Sequence, residues 1–175
     1  MSVETITPKI YSSARSEIVS LMANTYTQIY IHVVFAVQGR QGLIPKAHKE
    51  ELHKYIVGII RNKNQKLIAI NSMPDHVHLL IGLSPNMALS DLIRDVKANS
   101  SRFINEKRWV RGEFSWQEVF GAFSYSRSQL NAVVNYIENQ EKHHSIRPFR
   151  EEYLEMLKRF DVEYDPKYVF DWLDE

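Results

Sequence analysis

Residues 66–83 read KLIAINSMPDHVHLLIGL. Apolar and β-branched side chains fill both halves, and Met73, Pro74 and Asp75 sit between them as a tight connection. The stretch predicts a hairpin, with a short strand over 66–72 and a second over 76–83. Toward the N-terminus, residues 26–37 (YTQIYIHVVFAV) are rich in β-branched and aromatic side chains and predict a long strand. Gly39 and Gly42 punctuate the loop after it. Pro45 stands at a helix start, and Leu52, Tyr55, Ile56, Ile59 and Ile60 recur at helical spacing over 46–64. Toward the C-terminus, Ser84, Pro85 and Asn86 break the chain. Ser90 is placed to cap a helix running to about residue 105, with Leu92, Ile93, Val96 and Phe103 inward. Residues 118–125 predict a further strand. Ser126 and Gln129 have capping-box spacing and open a helix to about residue 141. Pro148 with Tyr153, Leu154 and Leu157 predicts a last short helix, followed by an aromatic tail holding Tyr164, Tyr168, Phe170 and Trp172.

The order strand, helix, strand, strand, helix, strand, helix is that of an α+β protein: a ferredoxin-like split βαβ antiparallel sheet with helices on one face. Strand 26–37 is long, apolar and first in chain order. It is expected at a sheet edge, where two copies would pair about a two-fold axis. Fold alone does not give function.

The chain has 175 residues, 44% of them hydrophobic, enough for one packed domain. Residues 1–23 are poorly patterned and are expected outside the fold, with residues 24–175 forming the domain, its C-terminal helix and its tail. The net charge of +1 means that a polyanion partner requires a local basic patch. Cysteine is absent, which excludes disulfides and cysteine-ligated zinc and fits a cytoplasmic setting. No apolar run has membrane-spanning length; His32 and His78 interrupt the longest ones, so no membrane partner is expected.

On a strand, His76 and His78 project to the same side while Val77 and Leu79 face the opposite layer. Two imidazoles side by side on a rigid strand make a good pair of metal ligands, because little ordering is left to do on binding. The plain alternative is two histidines on a solvated sheet face. Tyr136 and Gln140 lie four residues apart, hence on one helical face. Such a tyrosine is ordinarily half-buried with a wet hydroxyl, and such a glutamine is ordinarily solvated. Arg94, Lys97, Arg102, Lys107, Arg108 and Arg111 follow the second helix and the segment after it. They are suited to DNA backbone, with Trp109, Phe114 and Trp116 to stack on unpaired bases. The alternative is a solvated helix face beside ordinary core aromatics.

Taken together, these residues resemble the single-tyrosine HUH transposases, the insertion-sequence two-hundred-like family of bacterial mobile elements. The resemblance runs from about Tyr26 to Trp172. It rests on the opening Tyr-x-x-Ile-x-Ile-His-Val-Val-Phe-Ala strand and on Pro-Asp-His-Val-His-Leu-Leu. It continues through Trp116 and Gln117, Phe-Ser-Tyr-Ser at 123–126 and Tyr-Ile-Glu-Asn-Gln-Glu at 136–141. His143, His144 and Phe-Arg-Glu-Glu-Tyr at 149–153 complete it. The resemblance implies His76 and His78 as metal ligands, Gln140 as a third ligand and Tyr136 as the nucleophile. It implies Mg²⁺ or Mn²⁺ as cofactor, hairpin-bearing single-stranded DNA as substrate and a covalent 5′-phosphotyrosine intermediate. It also implies a homodimer in which, for many members, the tyrosine helix of one subunit completes the site of the other. The competing readings are a non-catalytic single-stranded nucleic-acid-binding module on the same sheet, and a domesticated relative that processes host repeat hairpins.

Overall fold

The computed structural model describes residues 26–40, 43–144, 147–165 and 169–170. The expected N-terminal extension, Gly42, Tyr168 and Trp172 lie outside the described residues. The elements are β1 (Tyr30–Ala36), α1 (Lys49–Asn62), β2 (Lys66–Ser72), β3 (His76–Gly82), α2 (Leu89–Lys107), β4 (Gly121–Tyr125), α3 (Leu130–Glu138), α4 (Gln140–His144) and α5 (Phe149–Arg159). The hairpin forms as predicted. β2 and β3 pair antiparallel, with Ser72 opposite Val77 beside the turn.

The sheet has four strands in the order β2-β3-β1-β4. β1 is antiparallel to β3 on one side and to β4 on the other. It is therefore interior, which corrects its expected place at an edge; the edges are β2 and β4. The reason is the split βαβ topology, in which the later strands settle on both flanks of the first. Residues 33–37 are all buried, as an interior strand requires.

Alternation sends Val33, Phe35, Val77, Leu79 and Ile81 to one face. There they pack on Leu52, Ile56 and Ile60 of α1 and on Leu92, Ile93, Val96 and Ile104 of α2. Full burial of each such side chain contributes about 1.5–3 kcal/mol, so this layer is the main source of stability. The other face carries Val34, Ala36 and Phe123 against Phe149, Tyr153, Met156 and Leu157 of α5. Beside them, Ala69 and Leu80 pack on Leu130, Val133 and Ile137 of α3. The two crossover helices thus share one face, as expected. The helices after β4 cover the other face, beyond the one-face expectation, because the central strands present apolar side chains on both sides.

Local signals explain the element ends. Ser126 and Gln129 form the expected capping box ahead of α3. α2 starts after Ala88 rather than at Ser90, and it stops at Arg108 in the left-handed conformation (φ 54). The helix expected to reach residue 141 breaks at Asn139 (φ −96, ψ 21), which separates α3 from α4. Gly121 lets α5 approach β4 closely: a Cβ there would stand 2.5 Å from the Tyr153 hydroxyl.

Candidate active site

β3 turns His76 and His78 to the second face, and both rings are buried. Asp75 Oδ1 lies 2.7 Å from His76 Nδ1 and accepts its proton. That tautomer leaves His76 Nε2 as a lone pair facing His144 Nε2 at 3.1 Å. Phe149 stacks on the His76 ring with centroids 3.9 Å apart and fixes its plane. His78 Nδ1 lies 2.9 Å from His32 Nε2 of β1. A proton on His78 Nδ1, donated to His32, leaves His78 Nε2 as a lone pair, and that atom is buried with no hydrogen-bond partner. Burial holds the His32 pKa at about 3. Burial and the neighbouring imidazoles hold His78 well below the usual histidine range. Both rings are therefore neutral, the state in which imidazole binds a cation.

α3 brings Tyr136 to this pair. Its half-buried ring presents an edge to His78 (centroids 6.1 Å) and to His32 (6.0 Å), and it tilts against His143 (5.2 Å). Asn71 of β2 anchors the end of the helix, donating from Nδ2 to the carbonyls of Ile137 at 2.8 Å and Glu138 at 3.2 Å. Past the break at Asn139, Gln140 is fully buried. Its Nε2 donates to Glu152 Oε1 at 3.2 Å, while its Oε1 has no partner. Tyr136, Gln140, His76 and His78 thus meet within one chain.

Two further residues join them that carry no assigned role in the sequence reading. Ligand atoms of His76, His78, His144 and Glu152 all lie within 4.8 Å of one another. Glu152 Oε2 is 2.9 Å from His144 Nε2 but outside hydrogen-bonding geometry. Burial pushes the Glu152 pKa up to about 7. A signal for Glu152 was present. Phe149, Glu152, Tyr153, Met156 and Leu157 form the buried stripe of α5, and an acid inside an apolar stripe requires a partner. The unpartnered lone pairs of His78 Nε2 and Gln140 Oε1, with the carboxylate beside them, form a donor set that suits a divalent cation.

The expected DNA-contacting residues sit elsewhere. α2 packs on the opposite face of the sheet from Tyr136. Trp116 is a core residue: it is 7% exposed, its Nε1 donates to Ser100 Oγ, and its ring meets Phe35 and Phe114. Phe114 is likewise buried. Both rings are packed in the core rather than presented at the surface. Lys97 donates to the carbonyls of Gln117, Glu118 and Val119 at 2.8–2.9 Å and lies over the Phe35 and Phe120 rings. It is a structural cation. Trp109 is half-buried and stacks on His48. Arg94 pairs with Asp91, and Lys107 pairs with Glu51. Arg102, Arg108 and Arg111 are exposed. Beside Tyr136 itself, a cavity of about 360 Å³ is lined by Tyr125, Gln129, Arg147, Glu152 and Arg159 among others.

The known family whose description, "Transposase IS200 like", matches this chain does so over residues 25–140. The ISDra2 transposase TnpA of Deinococcus radiodurans is 26% identical over 120 residues, 65% of this chain and 84% of the relative. A Deinococcus radiodurans crystal structure described as a transposase is similar with a TM-score of 0.54 at 23% identity, covering 67% of this chain and 94% of that one. The structure of a REP-associated tyrosine transposase bound to a REP hairpin has the same TM-score of 0.54 at 16% identity, covering 87% of this chain and 90% of that one. At these identities the two structural likenesses speak to the fold.

Proposed function

The chain belongs to the IS200-like transposase family, and from that membership we propose that it cleaves and rejoins single-stranded DNA at hairpin-bearing ends, with Tyr136 as nucleophile. The observation that carries this reading is the meeting of Tyr136 with the buried pair His76 and His78, where His78 Nε2 and Gln140 Oε1 lack partners. A non-catalytic binding module gives those orphaned atoms no role. The relative bound to a REP hairpin supports hairpin DNA as the substrate class.

In this reading the Tyr136 hydroxyl loses its proton and attacks phosphorus. The P–O bond to the 3′-oxygen breaks, and that oxygen leaves as a hydroxyl after taking up a proton. The 5′-phosphate stays on the tyrosine, so the phosphodiester energy is conserved for rejoining by a 3′-hydroxyl. A divalent ion, Mg²⁺ or Mn²⁺, held by His76, His78 and Gln140 would polarise the scissile phosphate and offset charge on the leaving oxygen. Asp75 holds His76 in the tautomer that presents Nε2, a proton shared from His78 Nδ1 to His32 would present Nε2 of His78 likewise, and Asn71 holds the tyrosine helix against the sheet. A homodimer and a cytoplasmic setting belong to the same reading. No helix among the described residues is long and apolar enough to cross a membrane. Because β1 is interior, sheet-to-sheet pairing of two copies would use β2 or β4.

The test is a labelled single-stranded hairpin with its flanks, incubated with protein and Mg²⁺ or Mn²⁺. The parent is expected to give a denaturant-resistant protein–DNA band. Tyr136→Phe is expected to give none while still binding the DNA. A band that persists in Tyr136→Phe would assign the nucleophile to another residue.

A further inference from the structure

We propose that Glu152 and His144, on the segment after the tyrosine helix, are themselves ligands of the ion, making a centre of three imidazoles and one carboxylate to which Gln140 is an accessory. The inference rests on the metal reading above and deepens it.

The first argument is charge. His76, His78 and Gln140 form a neutral set, and a dication in a buried site requires an anion close by. Within the cluster that anion is Glu152, which is 8% exposed. Among the described residues no lysine or arginine lies within ion-pair distance of it, and its ion-pair neighbour there is His144, itself a member of the cluster. The second argument is geometry. Ligand atoms about 2.1 Å from one ion lie roughly 3–4 Å from each other. His144 Nε2 stands 3.1 Å from His76 Nε2 and 2.9 Å from Glu152 Oε2, and the whole set spans 4.8 Å. Small side-chain shifts close that span. The third argument is the role left to Gln140. Its Nε2 is committed to Glu152 Oε1, so the amide orients the carboxylate as much as it offers its own oxygen.

Two consequences follow. An imidazole-rich set with one carboxylate favours Mn²⁺ and later first-row ions over Mg²⁺. Ion binding also fastens α5 to β3, because Glu152 lies on α5 and His76 and His78 lie on β3.

The experiment uses the full chain without DNA. Mn²⁺ binding is measured by the electron paramagnetic resonance of the free ion, and the rise in Tm on adding Mn²⁺ is recorded in parallel. Glu152→Gln keeps the acceptor for Gln140 and the side-chain shape. It is expected to weaken Mn²⁺ binding roughly tenfold or more and to reduce the Tm rise. His144→Asn is the second variant and is expected to do the same, with circular dichroism confirming the fold of each. If both variants bind Mn²⁺ like the parent while His76→Ala does not, the proposal is overturned and the His-pair reading stands. If His76→Ala also binds like the parent, or the parent binds nothing, both fall.

Discussion

At the scale of single residues, the protein keeps ionisable groups in states that water would not choose. Burial lowers His32 to about 3 and His53 to about 4, and burial with the neighbouring imidazoles holds His78 well below the usual histidine range. Each lowered histidine takes up a proton in the unfolded chain near pH 6.5 but not in the folded one, so its contribution is lost as pH falls below 6.5. Between pH 6.5 and 5 that amounts to about 2 kcal/mol for a fully buried ring. Glu152, raised to about 7, works the other way: its contribution is present at low pH and is lost as pH rises through 7. The histidines outnumber it. Metal-free protein is expected to lose stability from pH 7 to pH 5 in urea unfolding, and Glu152→Gln is expected to steepen that loss. Lys97 gives a second test. Lys97→Met strands three carbonyls and is expected to destabilise the fold by about 2 kcal/mol in the same assay, with the salt dependence of DNA binding unchanged. His76 and His78 were legible in the sequence because strand alternation fixes their side. The role of Lys97 was not, because a helical lysine reads as solvated until the carbonyls of Gln117, Glu118 and Val119 are brought against it.

At the scale of elements, Tyr136, the proposed nucleophile, is positioned by a joint between a strand and a helix end. Asn71 of β2 holds the carbonyls of Ile137 and Glu138, which α3 leaves unsatisfied where it breaks at Asn139. Asn71→Ala is expected to slow formation of the covalent adduct by roughly tenfold or more, while Mn²⁺ affinity stays at the parental value because no proposed ligand is touched. A matching loss of Mn²⁺ affinity would show instead that β2 positions the metal ligands. Strand and helix types were legible from periodicity and turn residues, including the hairpin and the capping box at Ser126. The break at Asn139 was not, since both flanks have helical spacing and tertiary bonds decide where the turn ends. The interior position of β1 was not legible from its own residues either. An apolar strand of that kind suits an edge between two copies as well as the middle of one sheet.

At the scale of the whole molecule, the sheet divides the expected functions between two faces. Tyr136 and the histidines occupy one face, whereas α2 and the exposed Arg102, Arg108 and Arg111 lie toward the other. A substrate that meets both has to reach around the sheet, with folded DNA on one side and the strand to be cut on the other. Replacing those three arginines together by alanine is expected to lower the slope of log affinity against log salt by about 2–3 for a hairpin substrate. Adduct formation on a short unstructured oligonucleotide is expected to hold, and an equal loss on both substrates would place these arginines in the path of the cleaved strand. The order of the chain has one more consequence. The side chains gathered around His78 come from β1, β3, α3, α4 and α5, from His32 to Glu152. During synthesis the ribosome releases the His pair and Tyr136 before the residues that close over them. A nascent or truncated chain ending near residue 140 therefore leaves Val34, Ala36 and Phe123 without their α5 cover and lacks the proposed ligands His144 and Glu152. In the proposed reading the metal centre is complete only once the last helix has emerged, so the order of translation itself acts as a safety catch.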